Sequence, residues 1–263
     1  MNRETLQTLL TECRDMARRA GLAIKAVADE PETMDVEAKG DGSPLTRADR
    51  ASHDVIRQGL DDLQPHFDIL SEEGEDQSYE AYGTKTHWLV DPLDGTKEFI
   101  ARRTDYTVNI ALVENCQPIL GVIYAPAHKA SWFAAAGCGA FKQIHDDEPL
   151  ELTPSTNEQP TSAVASRSHL SAATKAFIER NGIETFVQHG SSIKICAVAE
   201  GSADIYPRHG VTCLWDTGAG AAIAREAGCR IVDLAGEDLI YDPGLGIKRE
   251  GFIVFPNGMT FER

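Results

Sequence analysis

Hydrophobic residues recur every three or four positions in the first long segment, "RETLQTLLTECRDMARRAGLAIKAVAD", residues 3–29. This spacing predicts an amphipathic helix that packs one face on the body of the protein. A segment rich in Gly, Asp, Ser and Pro follows, "VEAKGDGSPLTRAD", and predicts a loop. The next segment, "RASHDVIRQGLDDL", predicts a second helix that begins near Asp49.

The middle of the chain has the pattern of strands. Two short apolar runs, "FDILSEEGE" and "THWLVD", predict strands that continue into acidic loops. Four further runs lie between residues 106 and 144: "YTVNIALVEN", "QPILGVIYAPA", "KASWFAAAG" and "GAFKQI". Each is bounded by turn residues and no helical pattern interrupts them, so they predict an antiparallel meander.

The pattern changes at "DDEPLELTPSTNEQPTS", residues 146–162, where three prolines lie in a polar stretch. We take this as a domain boundary, with an N-terminal α+β domain over residues 1–150 and a smaller α/β domain over residues 151–263. Beyond the boundary, strand and helix patterns alternate. The predicted strands are "SAVASR", "ETFVQHG", "ADIYPR", "CRIVDL" and "GFIVF", and the predicted helices are "SAATKAFIERNG", "SSIKICAVAEG" and "WDTGAGAAIAREAG".

Composition narrows the class of protein. The 263 residues are 42% hydrophobic and 25% charged, as in a globular protein with a core of its own. The start is polar, the six cysteines are far apart, and no apolar run is long enough to span a bilayer, which predicts a cytoplasmic protein with free thiols. The net charge of −16 argues against nucleic-acid polymers and anionic membranes as partners, but a small anion could bind through local cations.

Acidic residues lie at the edges of four predicted elements, where binding sites are commonly built. They are Asp49 at a helix start, Glu72 and Glu73 after "FDIL", Asp91 and Asp94 after "HWLV", and Asp216 at the start of the last long helix. Oxygen ligands without His or Cys suit Mg²⁺. Two such ions, roughly 3.5–4 Å apart, can bind the attacking and leaving oxygens of a phosphoryl transfer.

Each acid also has a simpler interpretation. Asp216 could cap a helix, Asp94 with Gly95 could form a turn, and the Glu72–Glu73 pair could lie in a solvated loop. Spacing does not show which loops converge, so both interpretations stay open at this point.

The combination of "WLVDPLDGTKEF" and "WDTGAGAAIAREAG" resembles the two-part signature of the inositol monophosphatase superfamily of Mg²⁺-dependent, lithium-sensitive phosphatases. The segments "DGSPLTRAD", "ILSEE", "GVIYAPA" and "GSSIKICAVAEGSADIYPR" are similar to its CysQ-type 3′(2′),5′-bisphosphate nucleotidases. The match covers nearly the whole chain in the expected order. It implies a layered αβαβα phosphatase fold, with an N-terminal antiparallel sheet and helices and a smaller C-terminal α/β domain.

The resemblance also implies metal ligands, position by position. Glu72, Asp91 and the backbone carbonyl of Leu93 would hold one Mg²⁺. Asp91, Asp94 and Asp216 would hold a second Mg²⁺, and a third, weaker ion is an open alternative.

Other residues match the family's reaction machinery. Asp49 and Thr96 resemble the pair that polarises the attacking water, and Glu73 is a neighbour that could assist through a water. The amides of Gly95 and Thr96, at an expected helix start, would contact the scissile phosphate. Together with the metal ligands, this predicts contacts to that phosphate from Glu72, Leu93, Asp94, Gly95, Thr96 and Asp216.

Ser191, Lys194 and Arg208 match positions that bind the other phosphate and the ribose in bisphosphate nucleotidases. Without the resemblance, Lys194 would be a solvated lysine on a helix and Arg208 a surface charge at a strand end. The segment "SRSH", residues 166–169, is a candidate for the adenosine pocket, although His169 could equally cap the following helix.

The resulting hypothesis is a phosphatase that removes the 3′-phosphate of 3′-phosphoadenosine 5′-phosphate, a by-product of sulfate assimilation, to give AMP. The sulfated nucleotide is a second candidate substrate. The first alternative is an inositol or sugar monophosphatase of the same fold. The second is a non-catalytic nucleotide-binding protein, in which one of the metal-ligating acids should be missing. We expect a monomer or homodimer in the cytoplasm; the resemblance allows peripheral association with the inner face of the inner membrane.

Overall fold

The first part of the chain is mainly helical. The structure, a computed structural model, describes residues 1–30, 34–40, 42–74, 82, 85–166 and 171–263. Helix α1 (Arg3–Asp29) and helix α2 (Arg47–Asp61) flank a short antiparallel hairpin of β1 (Glu37–Ala38) and β2 (Pro44–Leu45). The predicted amphipathic face of α1 is confirmed, because its regularly spaced apolar residues are buried against the body of the protein.

A seven-stranded sheet follows. Its strands are β3 (Asp68–Ser71), β4 (His87–Asp94), β5 (Thr107–Glu114), β6 (Gln117–Ala125), β7 (Ala130–Ala135), β8 (Ala140–Ile144) and β9 (Leu150–Glu151), in that order across the sheet. The predicted meander is confirmed in β5–β8. The sheet is antiparallel except for β3 and β4, which pair in parallel. Helix α3 (Thr96–Ile100) lies between β4 and β5.

The remaining strands and helices alternate along the chain. They are β10 (Ser162–Ser166), α4 (Ala172–Arg180), β11 (Thr185–His189), α5 (Ile193–Ala199), β12 (Tyr206–Cys213), α6 (Leu214–Glu226), β13 (Cys229–Val232) and β14 (Lys248–Pro256). Strands β10 and β11 are parallel, whereas β12, β14 and β13 form an antiparallel sheet in that order. A parallel bridge between Ala163 and Ile205 joins the two groups.

Three clusters of buried apolar side chains define five layers. One cluster packs α1 and α2 on one face of the large sheet, and a second packs α5 and α6 between the two sheets. A third fills the space between the smaller sheet and α4, around Phe177 and Ile253. The αβαβα architecture expected from the resemblance is therefore present. The second cluster contains residues from both sides of residue 150, and the division into domains there stays a prediction.

Close approach of α6 to the large sheet depends on glycine. A Cβ at Gly121 would collide with the backbone of Ala219, and one at Gly218 would lie 2.7 Å from the Leu89 side chain. The start of α6, which carries Asp216, is thereby held close to the end of β4. None of the described helices has the length and apolarity needed to cross a bilayer.

Candidate active site

Strand β4 is longer than the sequence pattern predicted, because it includes both aspartates of "DPLD". Asp91 lies within the strand, opposite Asn109, and Asp94 lies opposite Thr107. The register shifts between them, because Pro92 has no N–H to donate to the neighbouring strand. The Ser52 hydroxyl on α2 donates to the carbonyl oxygen of Pro92 at 2.7 Å and holds this irregular stretch in place.

Among the residues that the structure describes, Glu72, Asp91 and Asp216 form a compact acidic cluster. Each places a carboxylate oxygen within 4.8 Å of the others. Asp91 is 1% exposed, and burial, followed by the charges of Glu72, Asp94 and Asp216, raises its pKa well above the usual value of 3.8. Burial and the neighbouring Asp94 raise the pKa of Asp216 to about 7. Carboxylates at this spacing, with Asp91 buried and the other two partly exposed, repel one another, and the donor set fits a hard divalent cation such as Mg²⁺.

Asp94 lies beside this cluster, outside the group with mutual distances below 4.8 Å. Its Oδ2 accepts a hydrogen bond from the Ser192 hydroxyl at 2.8 Å. The same hydroxyl lies 2.8 Å from Asn109 Oδ1 and 3.0 Å from Thr107 Oγ1, and all three of these polar residues are buried. Asp94 is therefore fixed from the C-terminal half of the chain.

Asp49 and Thr96 are in direct contact, as the resemblance implied. The Thr96 hydroxyl donates to Asp49 Oδ1 at 3.1 Å and lies 3.2 Å from the carbonyl oxygen of Leu93. Asp49 also caps α2, because its Oδ2 accepts hydrogen bonds from the N–H and hydroxyl of Thr46. The Asp49 side chain is buried, and this burial raises its pKa.

Asp216, like Asp49, both forms hydrogen bonds at a helix start and lies in the candidate site. Its Oδ2 accepts hydrogen bonds from the Thr212 hydroxyl at 2.8 Å and the Cys213 N–H at 3.0 Å, at the start of α6. Cys213 is the N-cap residue, so the interpretation of Asp216 as the N-cap is wrong; Asp216 lies in the first turn and completes a capping box with Cys213. The same hydrogen bonds hold its carboxylate in the cluster.

The turn after β4 has the backbone conformation that its glycine predicts. Gly95 has φ +94°, and a Cβ there would lie 3.0 Å from the carbonyl oxygen of Asp105. Helix α3 has only five residues, so any phosphate contact from Gly95 and Thr96 depends on their individual amides more than on a helix dipole.

The sequence analysis missed Lys39. Its ammonium group donates to Glu72 Oε1 at 2.8 Å and to Glu73 Oε1 at 2.5 Å. Both glutamates are therefore ion-paired, which excludes the solvated-loop interpretation. The position of Lys39 beside a Gly- and Pro-containing hairpin gave no signal of a contact 33 residues away.

The predicted substrate residues come from the C-terminal half of the chain and line one cleft. Lys194 is 4% exposed, and its ammonium donates to the carbonyl oxygen of Ser191 at 2.6 Å. The interpretation as a solvated lysine is wrong, since the helix α5 around Lys194 is buried on all sides. Arg208 is half-buried; one terminal nitrogen donates to the Val211 carbonyl at 3.0 Å, and its Nε is buried with no hydrogen-bond partner among the described residues.

A cleft of about 450 Å³ joins these two groups. Its lining includes Glu72, Asp94, Gly95, Thr96, Ser191, Lys194, Arg208 and Asp216. The wall therefore contains both carboxylates and basic side chains. Residues 167–169 of the proposed adenosine segment, including His169, lie outside the described residues.

Comparisons with known proteins match this fold over its length. Residues 5–254 match the model of the inositol monophosphatase family. The 3′(2′),5′-bisphosphate nucleotidase CysQ of Escherichia coli is 43% identical over 252 residues, which cover 94% of this chain and 99% of the relative. CysQ of Buchnera aphidicola is 38% identical over 234 residues, 89% of this chain and 87% of the relative.

Solved structures give the same result. The crystal structure of CysQ from Bacteroides thetaiotaomicron has a TM-score of 0.83 and 40% identity, and the match covers 95% of this chain and 97% of that one. An IMPase from Thermotoga maritima has a TM-score of 0.77 and 26% identity, with 96% and 93% covered. Sequence, fold and acidic cluster agree: this chain belongs to the inositol monophosphatase family, whose members are Mg²⁺-dependent phosphatases.

Proposed function

We propose that this chain is a 3′(2′),5′-bisphosphate nucleotidase that hydrolyses the 3′-phosphate of 3′-phosphoadenosine 5′-phosphate to give AMP and phosphate. The observation that carries the proposal is one cleft lined both by carboxylates, Glu72, Asp94 and Asp216, and by the basic side chains of Lys194 and Arg208. A substrate with two phosphates on one ribose needs a reactive end and a second anion-binding end. The CysQ relatives from Escherichia coli and Buchnera aphidicola carry the same activity in their names.

Glu72, Asp91 and the carbonyl oxygen of Leu93 would hold one Mg²⁺, and Asp91, Asp94 and Asp216 a second. Supporting this assignment are the burial of Asp91 and the raised pKa values in the cluster, which a divalent charge would relieve. When bound, Mg²⁺ supplies Lewis-acid polarisation of phosphoryl oxygens and neutralises charge on the reacting groups. We propose two Mg²⁺ ions, with a third, weaker ion as the alternative.

The Asp49–Thr96 pair orients the attacking water. Because the Thr96 hydroxyl donates its proton to Asp49, its oxygen can accept a hydrogen bond from a water in the cleft. As the water oxygen attacks phosphorus, its proton moves towards Thr96 and the Thr96 proton towards Asp49. The raised pKa of Asp49 suits it to accept that proton. The bond from phosphorus to the 3′ oxygen breaks, its electron pair stays on that oxygen, and the oxygen takes a proton from solvent to give the 3′ hydroxyl of AMP.

Ser191, Lys194 and Arg208 bind the non-reacting phosphate and the ribose. Lys194 is already desolvated and held by the Ser191 carbonyl, so an anion that meets it need not displace much water. The partnerless Nε of Arg208 offers a further donor. The sulfated nucleotide shares the 3′-phosphate and differs only at the 5′ end, so we propose it as a second substrate.

We further propose that the protein acts in the cytoplasm as a monomer or homodimer. Light scattering, which measures the mass in solution, tests the oligomeric state. An assembly larger than a dimer would contradict the proposal.

The function is tested by phosphate release from the bisphosphate, the sulfated nucleotide and inositol 1-phosphate, each with Mg²⁺ and with EDTA. We expect Mg²⁺-dependent release from both nucleotides and a much lower kcat/KM for inositol 1-phosphate, which has no second phosphate for Lys194 and Arg208. Faster turnover of inositol 1-phosphate would support the alternative of an inositol phosphatase. Nucleotide binding without phosphate release from any substrate would support a non-catalytic protein.

A further inference from the structure

Asp105 is a buried carboxylate directly behind the turn formed by Gly190, Ser191 and Ser192. It is 4% exposed, and its Oδ2 accepts a hydrogen bond from the Gly190 N–H at 2.9 Å. Two imidazoles flank it: His128 Nε2 lies 3.2 Å from Oδ1, and His189 Nδ1 lies 3.8 Å from Oδ2. Asp105 is not part of the cleft lining, whereas all three residues of the turn are.

The backbone of Asp105 packs closely between two turns that line the cleft, one at Gly95 and one at Gly190. A Cβ at Gly190 would lie 2.7 Å from both the Cβ and the carbonyl oxygen of Asp105. On the other side, a Cβ at Gly95 would lie 3.0 Å from the same carbonyl oxygen. Glycine at both positions allows Asp105 to contact the turn on the reactive side and the turn on the substrate side.

The substrate-side turn needs such support. Ser191 has φ +44°, a left-handed conformation that is unfavourable for a residue with a side chain. Its carbonyl oxygen holds the Lys194 ammonium, and its hydroxyl accepts from Thr107 at 3.3 Å. A shift of Gly190 and Ser191 would therefore move two predicted substrate contacts at once, the Ser191 hydroxyl and the Lys194 ammonium. Ser192, which holds Asp94, has its own contacts with Asn109 and Thr107 on β5 and stays in place.

We propose that Asp105 is a positioning residue for the non-reacting phosphate of the substrate. By accepting the Gly190 N–H, it fixes the turn in the conformation that directs Ser191 and Lys194 into the cleft. The inference rests on the proposed function, because it assumes a substrate with a second phosphate at these residues. It assigns Asp105 to selectivity and leaves the reaction at the acidic cluster unchanged.

The test compares KM and kcat for the bisphosphate and for adenosine 3′-monophosphate. Leaving a buried N–H without its acceptor is costly, so Asp105→Ala should raise KM for the bisphosphate about 10- to 100-fold, with kcat and both constants for the monophosphate within about 3-fold of wild type. Asp105→Asn keeps an acceptor oxygen and should stay within about 3-fold of wild type on both substrates.

The control is Asp204→Ala. Asp204 is equally buried and accepts the N–H groups of Thr161 and Ser162, away from the cleft. We expect this variant to lose thermal stability and to keep the wild-type ratio of the two KM values. If Asp105→Ala fails to fold, Gly190→Ala is the second variant, because its Cβ must displace the same turn and should give the same selective rise in KM.

Equal losses on both substrates, no change in Asp105→Ala, or an Asp105→Asn variant as defective as Asp105→Ala would overturn the inference. A wild-type protein that does not release phosphate from the bisphosphate would instead overturn the proposed function. The two failures are therefore distinguishable in one set of assays.

Discussion

Replacing Asp91 by Asn should have opposite effects on stability with and without metal. In the metal-free protein, Asp91 is buried within 4.8 Å of the Glu72 and Asp216 carboxylates. Two unit charges 4 Å apart at an effective dielectric constant of 20 repel by about 4 kcal/mol, and the raised pKa values show that bound protons relieve part of this. We therefore expect Asp91→Asn to stabilise the metal-free protein by about 1–3 kcal/mol, which raises Tm by roughly 2–10 °C.

Mg²⁺ should reverse the order. A ligand present at 1,000 times its Kd stabilises the folded state by about 4.1 kcal/mol, so the wild-type protein should gain roughly 8–16 °C in Tm. Asp91→Asn should gain almost nothing, because an amide cannot supply the charge of a carboxylate shared by both proposed ions. Turnover of the variant should be abolished for the same reason.

Thermal unfolding in EDTA and in saturating Mg²⁺, followed by circular dichroism, measures both effects. The control is Asp238→Asn, which removes an exposed carboxylate paired with Arg230 and should change neither melting curve by more than about 2 °C. An Asp91→Asn variant that melts below wild type in EDTA, or gains as much from Mg²⁺, would refute the reasoning.

Three further predictions concern selectivity, pH and lithium. Arg208→Ala should cost about 1.5–3 kcal/mol of binding, roughly 10- to 150-fold in KM for the bisphosphate, but little for adenosine 3′-monophosphate; Arg230→Ala is the control, and equal losses on both substrates would exclude the phosphate contact. In EDTA, stability should fall as pH rises from about 4 to 7, because burial and Asp94 raise the pKa of Asp216 to about 7 and the folded state keeps a proton that the unfolded chain releases. Unfolding curves at pH 5 and 7.5 should show a smaller fall in Asp216→Asn, and an equal fall would contradict this. LiCl should inhibit phosphate release more than NaCl or KCl of equal ionic strength, since Li⁺ is close to Mg²⁺ in size and carries half its charge; identical rates in the three salts would count against the paired-metal site.

Elements with a regular hydrophobic period were predictable from the sequence. Helix α1 and the meander β5–β8 follow directly from spacings of 3.6 and from runs bounded by turns. Strand β12 was predicted only as far as Arg208, whereas it extends to Cys213, because pairing with β14 overrides the exposed Gly210 and Val211. Hairpin β1–β2 has two residues per strand, which is too short for an alternating hydrophobic pattern to be recognised in the sequence.

The acids of the site were visible in the sequence, but the contacts that hold them were not. Lys39, Asp105 and Ser192 each reach residues that are at least 33 positions away, and such contacts exist only once the sheet and α6 are packed. Ser192 lies next to Ser191 in the "GSSIK" segment, so its position was marked even though its contact with Asp94 was not.

The central claim is that one cleft cleaves the 3′-phosphate while its basic side chains hold the 5′-phosphate. Phosphorus NMR of the products formed from 3′-phosphoadenosine 5′-phosphate tests this most directly, since the two phosphates have separate resonances. The account predicts inorganic phosphate and adenosine 5′-monophosphate, formed only with Mg²⁺. Adenosine 3′-monophosphate as the product, or equal release of both phosphates, would contradict it.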